Sequence, residues 1–74
     1  MYTVGRCKIR DWRNKYDMTQ EQLASLSGVS QTMISKYENL DGAPNLRNLK
    51  NIATVFECPI DDLYEWDYVV PVRK

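Results

Sequence analysis

Histidine is absent from the 74 residues, and cysteine occurs only twice, at Cys7 and Cys58. Zinc sites and redox motifs need Cys or His clustered at ligand spacing. No metal site is therefore expected, and both thiols are read as reduced, partly buried small hydrophobes. With no His to act as general base for a Cys and no Gly-rich phosphate loop, the usual catalytic sets are missing. That argues against an enzyme and implies no cofactor. No run approaches the roughly 20 apolar residues of a membrane span, and the N-terminus lacks a signal-peptide core. The chain reads as soluble and intracellular, with no membrane partner.

An excess of one charge is also missing. Ten Lys plus Arg balance ten Asp plus Glu, so the overall charge gives no pull toward a polyanion. The balance conceals an asymmetry. Residues 1–37 carry six bases (Arg6, Lys8, Arg10, Arg13, Lys15, Lys36) against three acids (Asp11, Asp17, Glu21), a net of +3; residues 38–74 carry seven acids against four bases, a net of −3. A basic half with one face outward can meet phosphates while the acidic half points away. The length suits one domain, and a chain this short buries only about 60% of the surface it exposes unfolded.

What is present is helical periodicity broken by turn chemistry. Ile9, Trp12 and Tyr16 share a stripe that predicts an amphipathic helix from about Gly5 to Tyr16. Thr19 with Gln22 forms a capping box, so a second helix starts at Gln20, with Leu23, Ala24 and Leu26 inward. Gly28 ends it in the left-handed conformation. Ser30 caps a third helix over Gln31–Asn39, whose residues Met33, Ile34 and Tyr37 form one face and Gln31, Thr32, Ser35 and Lys36 the other. After a loop at Asp41–Pro44, Asn45 caps a fourth helix, Leu46–Phe56, with Leu46, Leu49, Ile52, Ala53 and Phe56 as its stripe. Pro59 opens a last short helix over Ile60–Glu65. The tail Tyr68–Val72 is β-prone. It has three places to go: beside Tyr2–Val4, beside its copy in a second subunit, or against the core. Pro71 limits any strand to an edge.

Two helices joined by only Gly28–Ser30 must cross steeply, which makes Gln20–Asn39 a helix-turn-helix. The DNA major groove, about 12 Å wide, admits one helix, so the second helix enters while the first crosses the backbone.

At this point a resemblance is plain. Residues 9–63 resemble the Cro and phage-repressor (Xre-like) family. The match runs through Ile9-Arg10-x-Trp12-Arg13, Met18-Thr19-Gln20-x-Gln22-Leu23-Ala24, Gly28-Val29-Ser30, Ile34-Ser35-x-Tyr37-Glu38-Asn39, Pro44-Asn45-Leu46 and Ile60-Asp61-Asp62-Leu63. The resemblance implies an all-α, compact five-helix domain over residues 1–66, with 67–74 as a tail. It also implies a sequence-specific regulator of transcription on double-stranded DNA, of a phage or mobile element in a bacterial cytoplasm.

Carried across residue by residue, the resemblance puts Gln20, Ser30 and Asn39 at phosphates, Ser30 serving chiefly as a cap. Gln31, Thr32, Ser35 and Lys36 are the candidate base readers. A Gln amide pairs with adenine, a Thr methyl packs on thymine, and Lys reaches guanine or a phosphate. Arg13 and Glu38 match a pair the family buries between its first and third helices, and Trp12, Tyr37 and Phe56 are read as core. Three departures stand out: Ser27 where an apolar residue is common, Glu57 where glycine is common, and Asp41 where relatives often place a phosphate-binding Lys or Arg. The last implies weak binding by a monomer. A weak homodimer through Leu63, Tyr64, Trp66 and the tail, on an inverted repeat, is the expected remedy. The competing reading keeps the fold but makes the domain a protein-interaction module of antitoxin or antirepressor type. The near-neutral charge and Asp41 favour that alternative.

Overall fold

The computed structural model describes residues 1–70. Its first element is a strand. The β-prone opening forms β1 (Tyr2–Cys7), which pairs antiparallel with β2 (Tyr64–Tyr68) in a two-stranded sheet. Tyr2 faces Tyr68, Thr3 faces Asp67, Val4 faces Trp66 and Cys7 faces Tyr64, with an irregularity between Val4 and Cys7. Gly5 sits in that irregularity, where a Cβ would come within 3.1 Å of the Glu65 carbonyl oxygen. Between the strands lie α1 (Ile9–Lys15), α2 (Gln20–Ser27), α3 (Gln31–Glu38), α4 (Leu46–Phe56) and a 3-10 turn at Ile60–Leu63.

The all-α, five-helix expectation is thereby corrected to a mostly helical fold of four α-helices with a small sheet. Helix α1 starts at Ile9 rather than near Gly5, because the preceding residues are engaged in β1. The fifth helix, expected over Ile60–Glu65, is only a 3-10 turn, since Tyr64 and Glu65 have already joined β2. The C-terminal strand thus lies upstream of the expected Tyr68–Val72, and Pro71 and Val72 fall outside the described residues. Of the three destinations considered for the tail, Tyr68 takes the one beside Tyr2.

The start signals act as their chemistry requires. Thr19 Oγ1 accepts the Gln22 N–H at 3.1 Å and Gln22 Oε1 accepts the Thr19 N–H at 2.8 Å, a complete capping box. Ser30 Oγ accepts the Met33 N–H, and Asn45 Oδ1 accepts the Asn48 N–H. Gly28 ends α2 at φ 75°, a conformation that costs an L side chain about 1–2 kcal/mol. Glu57 ends α4 at φ 56°, so where the resemblance implied glycine this chain accepts that strain. Ser27 is buried, but its hydroxyl accepts the Val29 N–H at 3.2 Å, so the polar atom is not stranded.

The core gathers Ile9, Leu23, Ile34, Tyr37, Ile52, Phe56 and Leu63, each almost wholly buried. Trp12 is half-buried and stacks on Phe56 with ring centroids 5.8 Å apart. Two predicted inward residues point out instead, Leu26 at 64% exposed and Leu46 at 72%. Leu63 and Tyr64, assigned to a dimer surface, are buried in the protein's own core. Trp12 Nε1 donates to the Asp62 carbonyl and Trp66 Nε1 to the Asp61 carbonyl, both at 2.8 Å, so two indoles pin the 3-10 turn. Both cysteines are free. Burial pushes both thiols up, away from the reactive thiolate.

Candidate nucleic-acid interface

Helix α3 has a fixed inner face. Ile34 is fully buried, and the buried Tyr37 hydroxyl accepts the Asn48 Nδ2–H at 2.8 Å and the Asn45 N–H at 3.4 Å. Those bonds tie α3 to the start of α4, which fixes its rotation about its own axis. With the apolar side locked inward, Gln31, Thr32 and Lys36 are exposed, and Ser35 lies half-buried one turn along the same helix. Asn39 caps the C-terminal end, exposed.

The crossing of α2 and α3 follows from the link Gly28–Ser30. Gly28 N–H bonds the Ala24 carbonyl, Val29 is buried, and Ser30 turns the chain into α3 with its cap. The starts of α2 and α3 come together at a shallow concavity lined by Asn14, Thr19, Gln20, Glu21 and Gln31. Gln20 and Gln31 thus share one surface, while Ser35, Lys36 and Asn39 lie farther along α3.

Beneath this surface is the Glu38 carboxylate, its side chain only 1% exposed. Arg13 grips it through both edges of its fork, Nε to Oε2 at 2.7 Å and Nη2 to Oε1 at 3.0 Å, while Arg13 Nη1 donates to the Met18 carbonyl. The Gln20 amide donates to Oε1 at 3.3 Å, and so does Arg10 Nε. One carboxylate therefore joins α1, α2 and α3. Burial alone pushes the Glu38 carboxyl up, but the hydrogen bonds from Arg13 and Gln20 and the charge of Arg13 outweigh it and hold it below its ordinary range.

Two connections at this surface were missed in the sequence. Arg10 stands three residues before Arg13, one helical turn back on the same side of α1, and that spacing is the signal that would have linked it to Glu38. The Gln20 bond to Glu38 carries no such signal, because it depends on how α2 and α3 cross.

Residues 9–63 match a family described as Helix-turn-helix. The chain is 40% identical over 67 residues to the HTH-type transcriptional activator BcrR of Enterococcus faecalis, covering 90% of this chain but only 33% of that protein. It is 44% identical over 62 residues to an HTH-type transcriptional regulator of Archaeoglobus fulgidus, covering 84% of this chain and 89% of the relative. Among solved structures, the P22 c2 repressor in complex with a synthetic operator superposes with a TM-score of 0.70 at 34% identity, covering 76% of this chain and 85% of the repressor chain. The family match over residues 9–63 takes in all four α-helices and the 3-10 turn. The chain belongs to the helix-turn-helix family, of the Cro and phage-repressor type.

Proposed function

We propose that the protein is a sequence-specific regulator of transcription that lays α3 in the major groove of double-stranded DNA, as a repressor or Cro-like protein of a phage or mobile element does. The carrying observation is that α3 is held by a buried apolar face and the Tyr37 bonds, leaving Gln31, Thr32 and Lys36 turned to solvent. Gln31 and Thr32, at the start of the helix, meet base edges, with Ser35 and Lys36 one turn on. Gln20, Ser30 and Asn39 hold phosphates on either side. Similarity to a repressor solved on its operator supports this reading, and no helix among the described residues is long and apolar enough to cross a membrane.

The test replaces Gln31 and Thr32 together by Ala and measures binding to a duplex selected from random sequence. A good bidentate base contact contributes about 1–3 kcal/mol of discrimination. The double variant is expected to lose at least tenfold in affinity for the selected duplex while keeping its affinity for unrelated DNA. Unchanged preference would favour the protein-interaction reading.

A second copy completes the assembly. Val4, Leu40, Leu46 and Trp66 are all exposed and line one apolar groove between the loop after α3 and the sheet. Leu40 follows α3 closely, so a twofold contact here turns the ends of two α3 helices toward each other. That arrangement suits half-sites one helical turn, about 34–36 Å, apart.

A further inference from the structure

Three donors converge on one oxygen at the junction of α1, α2 and α3. Glu38 Oε1 accepts from Arg13 Nη2 at 3.0 Å, and from Gln20 Nε2 and Arg10 Nε at 3.3 Å each. A carboxylate oxygen has two lone pairs, so the three bonds cannot all be good ones. Arg13 is secure, for its side chain is 12% exposed, it grips both carboxylate oxygens and it also donates to the Met18 carbonyl. Arg10 is the loosest member, 60% exposed and attached through a single long contact.

The charges do not cancel either. Two guanidinium groups share one carboxylate, which leaves one positive charge in excess beside the Gln20 amide. The nearby acid Asp11 is already engaged by Arg6 at 2.7 Å. Asp17 lines the same concavity as Gln20 and Glu21, so an anion arriving at Gln20 meets two carboxylates and needs a cation close by. The loop after α3 supplies none, since it carries Asp41.

We propose that Arg10 is a phosphate-binding arm: on docking, its guanidinium leaves Glu38 Oε1 and takes the DNA backbone phosphate that Gln20 approaches. Glu38 stays neutralised by Arg13 when Arg10 departs, so the exchange strands no buried charge. A guanidinium fork matches two phosphate oxygens, and Arg10, 60% exposed and held to Glu38 by one 3.3 Å contact, has little to give up. Arg10 thereby supplies the cation that the loop after α3 lacks. The inference rests on the DNA-binding reading above.

The test compares wild type, Arg10→Ala and Arg10→Lys by fluorescence anisotropy on one labelled duplex between about 50 and 200 mM salt, with thermal unfolding of each. Neutralising one phosphate contributes a slope of about −0.9 in log K against log salt. Arg10→Ala is expected to flatten the slope by about one and to weaken binding about eightfold near 0.1 M salt. Arg10→Lys should restore the slope, and the unfolding temperatures should nearly coincide. An Arg10→Ala slope equal to that of wild type overturns the proposal, with a lowered unfolding temperature marking Arg10 as a support for Glu38 only. Wild type that binds no duplex even at 50 mM salt sinks the regulator reading itself, a result distinct from an unchanged slope.

Discussion

At Glu38 one carboxylate holds three helices, so its loss is felt beyond the pair it forms. Replacing Glu38 with Gln leaves the Arg13 guanidinium, 12% exposed, without its counter-charge. Removing one member of a buried pair costs about 3–5 kcal/mol, a large share of the stability of so small a domain. Urea denaturation at pH 7 is expected to show a loss of that size. The folded carboxyl titrates below its ordinary value of 4.5, so the unfolded chain takes up the proton first. The contribution of the pair is fully present above that value and is lost as pH falls from there through the lower folded value. The urea midpoint of wild type should drop over that window, and that of Glu38→Gln should drop less. The pairing of Arg13 with Glu38 was legible only through the family resemblance. Of the other two contacts, that of Arg10 had only its one-turn spacing from Arg13 as a signal, and that of Gln20 had none, because it joins residues 18 positions apart through the crossing of α2 and α3.

At the scale of elements, local start signals prevailed where they were strong. Thr19 with Gln22, Gly28, Ser30 and Asn45 set the helix boundaries that the sequence predicts. The ends of the chain behaved differently. Ile9, Trp12 and Tyr16 mark a true helical stripe, but it does not extend back to Gly5, because Tyr2–Val4, β-prone in the sequence, pairs with residues more than 60 positions away and carries Gly5 into β1. The fifth helix failed for the same reason, since Tyr64 and Trp66 are paired with Cys7 and Val4 in the sheet. The turn that remains depends on two indoles. Trp12→Phe keeps the stacking surface on Phe56 but removes the donor to the Asp62 carbonyl. A loss of about 1 kcal/mol is expected, with greater amide exchange at residues 60–63, measured by hydrogen–deuterium exchange.

For the whole molecule, neutrality overall with a basic first half and an acidic second half sets a division of labour. The +3 half contains α1, α2 and nearly all of α3, and Leu40, Leu46 and Trp66 of the apolar groove belong to the −3 half. Under the proposed function, few phosphate contacts per subunit would make a lone monomer bind weakly, and a twofold assembly would multiply the affinity. Sedimentation velocity is expected to show a monomer at low micromolar concentration and a dimer once a palindromic duplex is added, with Leu46→Glu abolishing the dimer and leaving the fold intact. A single subunit per duplex for wild type would refute the twofold arrangement. The residues of the groove were only partly legible in the sequence. Trp66 was expected at the surface, but Leu46 was placed on the inward stripe of α4, where Leu49 and Ile52 are buried while Leu46 is 72% exposed. The most direct measurement of the central claim is a titration of the isotope-labelled protein with a selected duplex, following every backbone amide by NMR. The account predicts the largest shifts at residues 31–36, with a second set around Gln20. Shifts confined to the groove near Leu46 and Trp66, with residues 31–36 unmoved, would contradict it.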